Sequence, residues 1–424
     1  MAAANASTSE KPATFNPWRL QECRILFFTG LPHHYQQLAP LVQRLETLGA
    51  NLTFATTQNV NFGCDFKGDF EVPLVRAGKD MMFLPERFEA EVANDLVRDY
   101  RRAEKMIANA VRQAPKWSQE LPVAAVRLRT MIGLDYDRLA EKMLDAVEPE
   151  LVLVLHEFNC WTRPLCAQSL ARGVPVLSFV EGMPYNNLSK GVFTGQFSSK
   201  MCLWGDSQRR WMLNEGTDPD ILTITGPMHL DEAKRNGMSR IDELKAEFGL
   251  PRNKRILLLV LPRLHFGVPA AEILKSLVEF LDSRDNYFLA VKWHPHERDD
   301  EQAAARTEHP RLRSFKEQDV RKLIAVSDVA ICTGTSAGAE VLAFDKPLIE
   351  VNWNGRNVNL DYAGQGVALE VRNAADWLVI DRVLDEGLPP KVQQAAERYV
   401  HDAFFKLDGH CVDRAVEQAL ALLR

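Results

Sequence analysis

The chain has 424 residues, which is too long for a single hydrophobic core, so its length predicts two domains. Hydrophobic residues make up 46% and charged residues 25%, and the net charge is −6. This composition is typical of a soluble globular protein, and its mildly acidic balance argues against a nucleic-acid-binding protein, whose surface is basic. No apolar run reaches about 18 residues, so no membrane-spanning helix is predicted.

Seven cysteines are scattered through the sequence, and none has a partner at the spacing of a metal site. Their odd number and their spacing indicate free thiols, which are typical of a reducing compartment, so we expect a cytoplasmic protein. Residues 1–20 lack the basic start and the apolar core of a signal peptide, and we expect them to form a disordered tail.

A βαβ pattern opens the folded part of the chain. Residues 24–29 form an apolar run that ends at Gly30, an amphipathic helix follows, and residues 51–56 form a second apolar run. This pattern predicts a parallel sheet, whose ligands gather at the carboxyl ends of the strands. His33 and His34 follow the first strand and are therefore placed at such an end.

Residues 81–146 break this rhythm and are predicted to be helical throughout, as an insert in the first domain. Between residues 98 and 129 the sequence has eight basic and three acidic residues, with an apolar stripe at helical spacing. Two interpretations stay open. In the first, the basic helical face contacts an anionic acceptor or a membrane surface. In the second, it is a solvated face on helices that cover the sheet. We favour the solvated face.

Residues 151–155 and 176–180 are further apolar runs, and they are predicted as buried strands of the same sheet. The first run ends at His156 and Glu157, and the second ends at Glu181. Parallel strands carry their ligand sites at one edge of the sheet, so these side chains are predicted to contact an acceptor molecule.

The composition turns polar after residue 230, and a new apolar run begins at residue 255. We therefore predict a first domain at residues 21–230, a linker at 231–253, a second domain at 254–400 and a C-terminal helix at 401–424. The fold class is α/β, with two Rossmann-like domains and a cleft between them.

Residues 327–353, in the second domain, form the most informative stretch of the sequence. An apolar strand ends near Ile331, a loop of small and hydroxyl-bearing residues follows at 332–338, and the next helix carries Glu340. Such a loop lets the backbone approach a phosphate, and Glu340 is placed to accept hydrogen bonds from ribose hydroxyls. The alternative is an ordinary crossover whose small residues serve only close packing.

Several motifs, in this order along the chain, resemble those of GT-B glycosyltransferases and the related nucleotide-sugar 2-epimerases. Thr225-Gly226-Pro227 followed by Asp231 resembles the hinge between the two domains of such enzymes. The run Lys292-Trp293-His294-Pro295 is similar to the K-x-H-P motif of bacterial sialyltransferases, Kdo transferases and polyglycerol-phosphate transferases.

The resemblance implies roles for residues of the second domain. His294 is expected to contact the donor phosphate, the loop after the strand completes the phosphate site, and Glu340 holds the donor ribose at the spacing G-x(5)-E from Gly334. The predicted donor-binding residues are Arg263, Lys292, His294, Thr333, Gly334, Thr335, Ser336 and Glu340.

In the first domain, the stretch that starts at His34 is similar to the G-H-x-x-P loop and helix of the family, with His33 and Gln37 in place of the glycine and the proline. The resemblance implies that His34 is the catalytic base, because an imidazole takes up a proton near neutral pH. Glu157 is the second choice for that role. The predicted acceptor-side residues are His33, His156 and Glu181.

The predicted function is that of a glycosyltransferase, which moves a sugar from a nucleotide-activated donor to a hydroxyl of a glycan, lipid-linked or small-molecule acceptor. No metal is predicted, because no Asp-x-Asp pair follows a strand, and the nucleotide-sugar co-substrate is the only small-molecule requirement. A UDP-sugar 2-epimerase and a non-catalytic binding protein with the same fold are the alternatives. The K-x-H-P run indicates a cytidine nucleotide, whereas His34 and Glu340 indicate UDP or TDP, so the base stays open.

Overall fold

The computed structural model describes residues 20–30, 32–57, 81–113, 122–157, 159–182, 195–264, 267–295, 297–353 and 360–423. The tail predicted to be disordered lies outside this range, apart from its last residue. Two parallel sheets organise the described residues, one in each half of the chain.

The strands of the first sheet are β1 (Arg24–Thr29), β2 (Asn51–Thr56), β3 (Met81–Phe83), β4 (Leu151–Val154), β5 (Val176–Phe179), β6 (Lys200–Leu203) and β7 (Leu222–Ile224). They lie in the order β3-β2-β1-β4-β5-β6-β7, and the paired strands run parallel. All four residues of β4 and of β5 are buried, because helices cover both faces of the sheet.

The strands of the second sheet are β8 (Arg255–Val260), β9 (Tyr287–Lys292), β10 (Leu312–Phe315), β11 (Val329–Cys332), β12 (Leu348–Val351) and β13 (Leu369–Val371). Their order is β10-β9-β8-β11-β12-β13, again with parallel pairing. The second sheet therefore repeats the order of the first six strands of the first sheet, as a pair of Rossmann-like domains requires.

The α-helices of the described residues are α1 (Pro32–Thr47), α2 (Leu84–Gln113), α3 (Val123–Val147), α4 (Thr162–Ala171), α5 (Asp206–Asn214), α6 (Met228–Ser239), α7 (Ile241–Glu247), α8 (Ala270–Asp282), α9 (Asp299–Ala305), α10 (Val320–Val326), α11 (Ala337–Ala343), α12 (Leu378–Glu386), α13 (Pro390–Phe404) and α14 (Cys411–Leu422). Within the described residues, no helix combines the length and the apolar composition needed to cross a bilayer.

Strand β8 shows how each sheet separates two cores. Its side chains alternate between the faces, so Leu258 packs with α10 and α11 on one side, whereas Leu257 and Leu259 pack with α8 on the other. Because both faces are apolar, the strand is an unbroken apolar run in the sequence.

The C-terminal helix α14 returns to the first domain. Cys411, Ala415 and Val416 are fully buried there, in the same cluster as residues of β1 and α1. Asp231 of α6 fixes the start of this helix, because its carboxylate accepts hydrogen bonds from the backbone N–H groups of Gly409 (2.9 Å) and Cys411 (3.2 Å). The two domains are therefore joined both by the central segment and by the C-terminal segment.

Two parts of the predicted organisation need correction or detail. The insert is not helical throughout, because Met81–Phe83 is a short edge strand that pairs with β2 before α2 begins. Three residues are too few for a strand pattern to stand out from helical periodicity. The segment predicted as a linker, 231–253, is mostly helical, and its Leu244 and Phe248 are buried in a core of the second domain.

Candidate active site

Each sheet has a topological switch point, that is, a pair of neighbouring strands from which the chain continues towards opposite edges of the sheet. In the first sheet it lies between β1 and β4, and in the second sheet it lies between β8 and β11. The crevice at the carboxyl end of such strands is where open α/β sheets bind ligands. His34 and His156 follow the two strands of the first pair, and Arg263 and Thr333 follow those of the second pair.

A cavity of about 980 Å³ lies at this end of the second sheet, and helix α1 of the first domain borders it through Tyr35, Gln36 and Ala39. The cavity therefore lies between the two domains. Its lining includes seven of the eight predicted donor-binding residues, namely Arg263, Lys292, His294, Gly334, Thr335, Ser336 and Glu340. Thr333, the eighth, is buried at the end of β11.

The loop between β11 and α11 is held from behind by Tyr362, which is fully buried. The Tyr362 hydroxyl donates a hydrogen bond to the carbonyl of Thr335 (2.9 Å) and accepts one from the N–H of Ala339 (3.0 Å). Gly338 makes room for this ring, because a Cβ there would lie 2.5 Å from it. Gly334 has a φ of 69°, which glycine adopts without strain.

Polar atoms of this loop and the following helix are buried without partners. Oγ1 of Thr333, Oγ1 of Thr335 and Oε2 of Glu340 have no hydrogen-bond partner among the described residues. Buried polar atoms in native proteins are nearly always satisfied, so those of Thr335 and Glu340, whose residues line the cavity, are candidates to be satisfied by a ligand.

Two charged side chains surround Glu340. The pKa of Glu340 is raised, mainly by burial; the Arg321 guanidinium opposes this shift, and Asp319 adds to it. Asp319 caps α10 by accepting a hydrogen bond from the N–H of Arg321 (3.0 Å), and it also accepts one from that guanidinium (2.9 Å). All three residues line the cavity. Sequence reasoning missed Arg321, because α10 is brought to the loop by tertiary packing and carries no motif.

Lys292 is buried at the end of β9, and burial lowers its pKa. Its ammonium group donates hydrogen bonds to the carbonyls of Trp293 (2.7 Å) and Lys316. These contacts connect the segment before His294 to the end of β10. Lys292 therefore supports the cavity wall. His294, the histidine of the K-x-H-P run, is half-buried and lines the cavity.

In the first domain the structure brings together His34, His156 and Glu181. The ring centroids of the two histidines are 4.9 Å apart with an edge-to-face geometry, and Nε2 of His156 lies 2.7 Å from Oε2 of Glu181. The N–H of Gly30 donates to Nδ1 of His34 (3.4 Å), and the amide of Gln37 donates to the carbonyl of Glu181 (3.0 Å).

The members of this cluster differ in accessibility. His34 is 0% exposed, His156 is buried, and the Glu181 side chain is 34% exposed. Trp161 packs directly over Gly30, where an added Cβ would overlap its ring. Glu181 is thus the most exposed side chain of the cluster. The side chain of His33, predicted to be on the acceptor side, lies outside the described residues.

Imidazole and carboxylate groups are also metal ligands, and ligand atoms of His34, His156 and Glu181 lie within 4.8 Å of one another. Two ligands of one tetrahedral zinc ion are separated by roughly 3.3 Å. The 2.7 Å between His156 and Glu181 is shorter, and it is the distance of a charge-assisted hydrogen bond. The geometry present is therefore that of a hydrogen-bonded imidazole–carboxylate pair.

Glu157 is directed into the first domain. Its Oε2 accepts hydrogen bonds from the N–H of Phe197 (3.0 Å) and from the Ser198 hydroxyl, which also lies 2.7 Å from the Ser178 hydroxyl. Burial raises the pKa of Glu157, and these hydrogen bonds oppose that effect. With 3% exposure, this carboxylate joins β4 to the segment before β6.

Helix α1 connects the two halves of the candidate site. Tyr35, Gln36 and Ala39 border the cavity, and His34 and Gln37 belong to the cluster in the first domain. The cluster residues themselves are not part of the cavity lining. Gln36 borders the cavity and the next residue, Gln37, donates to the Glu181 carbonyl, so adjacent residues of α1 connect the cavity to the cluster.

No protein-family model matches the sequence, and no curated protein sequence matches it. Solved structures do match over nearly the whole chain. The UDP-GlcNAc 2-epimerase from Neisseria meningitidis bound to UDP-GlcNAc is 13% identical, with a TM-score of 0.62, covering 94% of this chain and 99% of that one. The S. aureus MnaA–UDP structure is 16% identical, with a TM-score of 0.57 and coverage of 94% and 97%.

A glycosyltransferase from Rickettsia africae is 14% identical, with a TM-score of 0.52 and coverage of 95% and 99%. At such identities the similarity establishes the fold alone. The chain therefore has the two-domain α/β architecture of GT-B enzymes, which these epimerases and this glycosyltransferase share.

Proposed function

We propose that the protein is an enzyme that acts on a nucleotide-activated sugar and holds the nucleoside diphosphate in the cavity between its domains. One observation carries this proposal. The cavity lies at the switch point of the second sheet and is lined by an imidazole, a hydroxyl-bearing loop and two buried polar atoms without partners among the described residues. UDP is the first candidate nucleotide, since two of the similar structures contain UDP or a UDP-sugar.

Each group has a role that its chemistry suits. The ring N–H of His294 and the hydroxyls of Thr335 and Ser336 donate hydrogen bonds to the diphosphate, which stabilises negative charge as the bond to the sugar breaks. The carboxylate of Glu340 accepts hydrogen bonds from the ribose hydroxyls. The Arg321 guanidinium opposes the effect of burial, which raises the pKa of this carboxylate, and Arg263, exposed at the cavity wall, adds a positive charge near the phosphates.

The first candidate reaction is epimerisation of the sugar. Inverting a C–H carbon requires that a proton leave from one face and that a proton be added to the other, so the site needs groups that exchange protons. The pair formed by His156 and Glu181, hydrogen-bonded at 2.7 Å at adjacent strand ends, supplies such a group for one face of the sugar. The similarity in fold to UDP-GlcNAc 2-epimerases supports this reaction.

Glycosyl transfer to an acceptor hydroxyl is the second candidate, and the run from Lys292 to Pro295 favours it. This reaction needs one base. Glu181 suits that role better than His34 or Glu157, because it is the accessible member of the three. In both reactions the phosphate site is the same, and the difference lies in whether a second substrate enters.

A single incubation separates the candidates. The protein is mixed with UDP-GlcNAc in deuterium oxide without an acceptor and followed by proton NMR. Epimerisation predicts a second UDP-sugar that carries deuterium at the inverted carbon. Glycosyl transfer predicts that UDP is released only when an acceptor is added. A protein that neither binds UDP nor changes the sugar would contradict both.

The proposed reaction requires no metal. Helix α10 places Arg321 at the cavity and the segment after β9 places His294 there, and a guanidinium together with hydrogen-bond donors can balance diphosphate charge without an ion. Activity that survives dialysis against EDTA is the expected result. Loss of activity after EDTA, restored by a divalent ion, would contradict this part of the proposal.

A further inference from the structure

The hairpin formed by α2 and α3 has a strong charge asymmetry along its length. We call residues 98–113 and 123–134 its distal half, because none of them is fully buried, whereas residues such as Phe88 and Met143 in the remaining, proximal half pack against the first sheet. The distal half has seven basic and two acidic residues, and the proximal half, residues 84–97 and 135–147, has three basic and eight acidic residues.

Several basic side chains of the distal half lie on one face of α2. The positions Arg101, Arg102, Lys105 and Arg112 recur at helical spacing, so they form a stripe along the helix. All four are exposed, and none has a carboxylate within ion-pair distance among the described residues. By contrast, Arg127 is paired with Glu104 at 2.9 Å. The stripe therefore carries uncompensated charge.

Exposed apolar side chains accompany this charge. Met106 is 62% exposed and lies one turn after Arg102 on the same face, and Leu128 on α3 is 60% exposed. Val126 is also exposed. Of the six large apolar side chains that are exposed in the described part of the chain, three belong to the distal half and a fourth, Val97, directly precedes it.

We propose that the distal half of the hairpin docks on a bilayer that contains anionic lipids. Basic side chains that flank exposed apolar ones suit the boundary between lipid headgroups and acyl chains, where cations meet phosphates and apolar groups enter the hydrocarbon. A nucleic acid backbone would pair with the cations but leave Met106 and Leu128 in water. An acidic protein surface would need a matching apolar pocket for each of them, whereas a bilayer accepts apolar side chains without such a match.

The acidic proximal half fixes the orientation. An anionic surface attracts the distal half and repels the proximal half, so the hairpin meets the membrane with its distal half first. The attraction must be local, because the whole chain has a net charge of −6. Docking in this way would bring the first domain close to lipid-linked substrates, although it does not depend on the proposed enzymatic function.

Vesicle co-sedimentation of the full chain tests the proposal. The vesicles are phosphatidylcholine alone or phosphatidylcholine mixed with phosphatidylglycerol in equal parts. We expect binding to the mixed vesicles only, with an affinity that falls as salt is added. Each basic residue near the surface contributes roughly fivefold in partitioning, so the double variant Arg101→Glu, Arg102→Glu should bind at least roughly 25-fold more weakly.

A matched control reverses the same number of basic residues on another helix. Lys391→Glu with Arg398→Glu alters two exposed basic residues of α13 and should leave vesicle binding unchanged. A further variant, Met106→Ser with Leu128→Ser, keeps the charge and should still bind more weakly than the wild type. Absence of binding to the mixed vesicles, equal binding to both vesicle types, or an equal loss in the α13 control would overturn the proposal. So would tighter binding to a short DNA duplex than to the mixed vesicles.

Discussion

Replacing Tyr362 by phenylalanine removes one oxygen atom from behind the loop that lines the cavity. The hydroxyl makes two hydrogen bonds, to the carbonyl of Thr335 and from the N–H of Ala339. Both groups keep another partner, because that carbonyl also accepts from the N–H of Gly338 (3.0 Å) and that N–H also donates to the carbonyl of Ser336 (3.1 Å). Neither is left unpaired in the variant.

The cost is therefore that of two ordinary hydrogen bonds, about 1–3 kcal/mol in total, without the larger penalty of an orphaned buried group. These bonds order the loop that is proposed to hold the diphosphate. Losing them should therefore weaken ligand binding by up to the same free energy. The dissociation constant for UDP should then rise by about 5- to 150-fold.

Tyr287→Phe is the matched control. The Tyr287 hydroxyl is also in the second domain and donates to a carboxylate oxygen of Asp381 (2.7 Å), away from the cavity lining. Its loss should cost about 1.5–3 kcal/mol of stability, since the partner is charged. Thermal unfolding with and without UDP should show similar losses of stability in both variants, but a reduced UDP-dependent shift only for Tyr362→Phe. Equal UDP responses would refute the role of the loop.

Three further substitutions test other parts of the molecule. Glu340→Gln should weaken UDP binding but leave binding of inorganic pyrophosphate unchanged in calorimetry, because only the ribose contact changes. Glu181→Gln should lower turnover at least about 100-fold while UDP affinity stays the same, as expected for a proton-transfer group; parallel losses of both would contradict that role. Glu350 is fully buried, and burial raises its pKa to about 7 from an ordinary value of 4.5. Its stabilising contribution is complete below pH 4.5 and is lost as the pH rises through about 7, by on the order of 3 kcal/mol. Glu350→Gln should therefore gain melting temperature relative to the wild type between pH 5 and pH 8, and a constant difference would refute the shifted pKa.

Much of the fold could be predicted because central parallel strands are buried on both faces. Strands β1, β4, β8 and β9 are visible as apolar runs, and the order of these runs predicts the two Rossmann-like domains. The edge strands β3, β10 and β13 were not predicted. They have three or four residues and are only partly buried, as in Leu312–Phe315, so their sequences show no distinctive pattern.

Some residues of the candidate site could likewise be predicted from the sequence, and others could not. The loop from Thr333 to Ser336 could be predicted because small and hydroxyl-bearing residues between a strand and a helix are unusual enough to stand out. Tyr362 and Arg321 could not, since each reaches the loop through tertiary packing from a separate segment. Likewise, the sequence placed His156 and Glu181 at neighbouring strand ends, but only the fold shows that they are hydrogen-bonded.

Isothermal titration with UDP tests the central claim most directly. We predict that the wild-type chain binds one UDP molecule. Removing the charged hydrogen bond in His294→Ala should weaken binding by roughly 10- to 100-fold, whereas His410→Ala, at an exposed histidine paired with Asp413 on α14, should bind as the wild type does. A wild-type chain that binds no UDP or other nucleoside diphosphate, or a His294→Ala variant with unchanged affinity, would contradict the claim that this cavity holds the nucleotide.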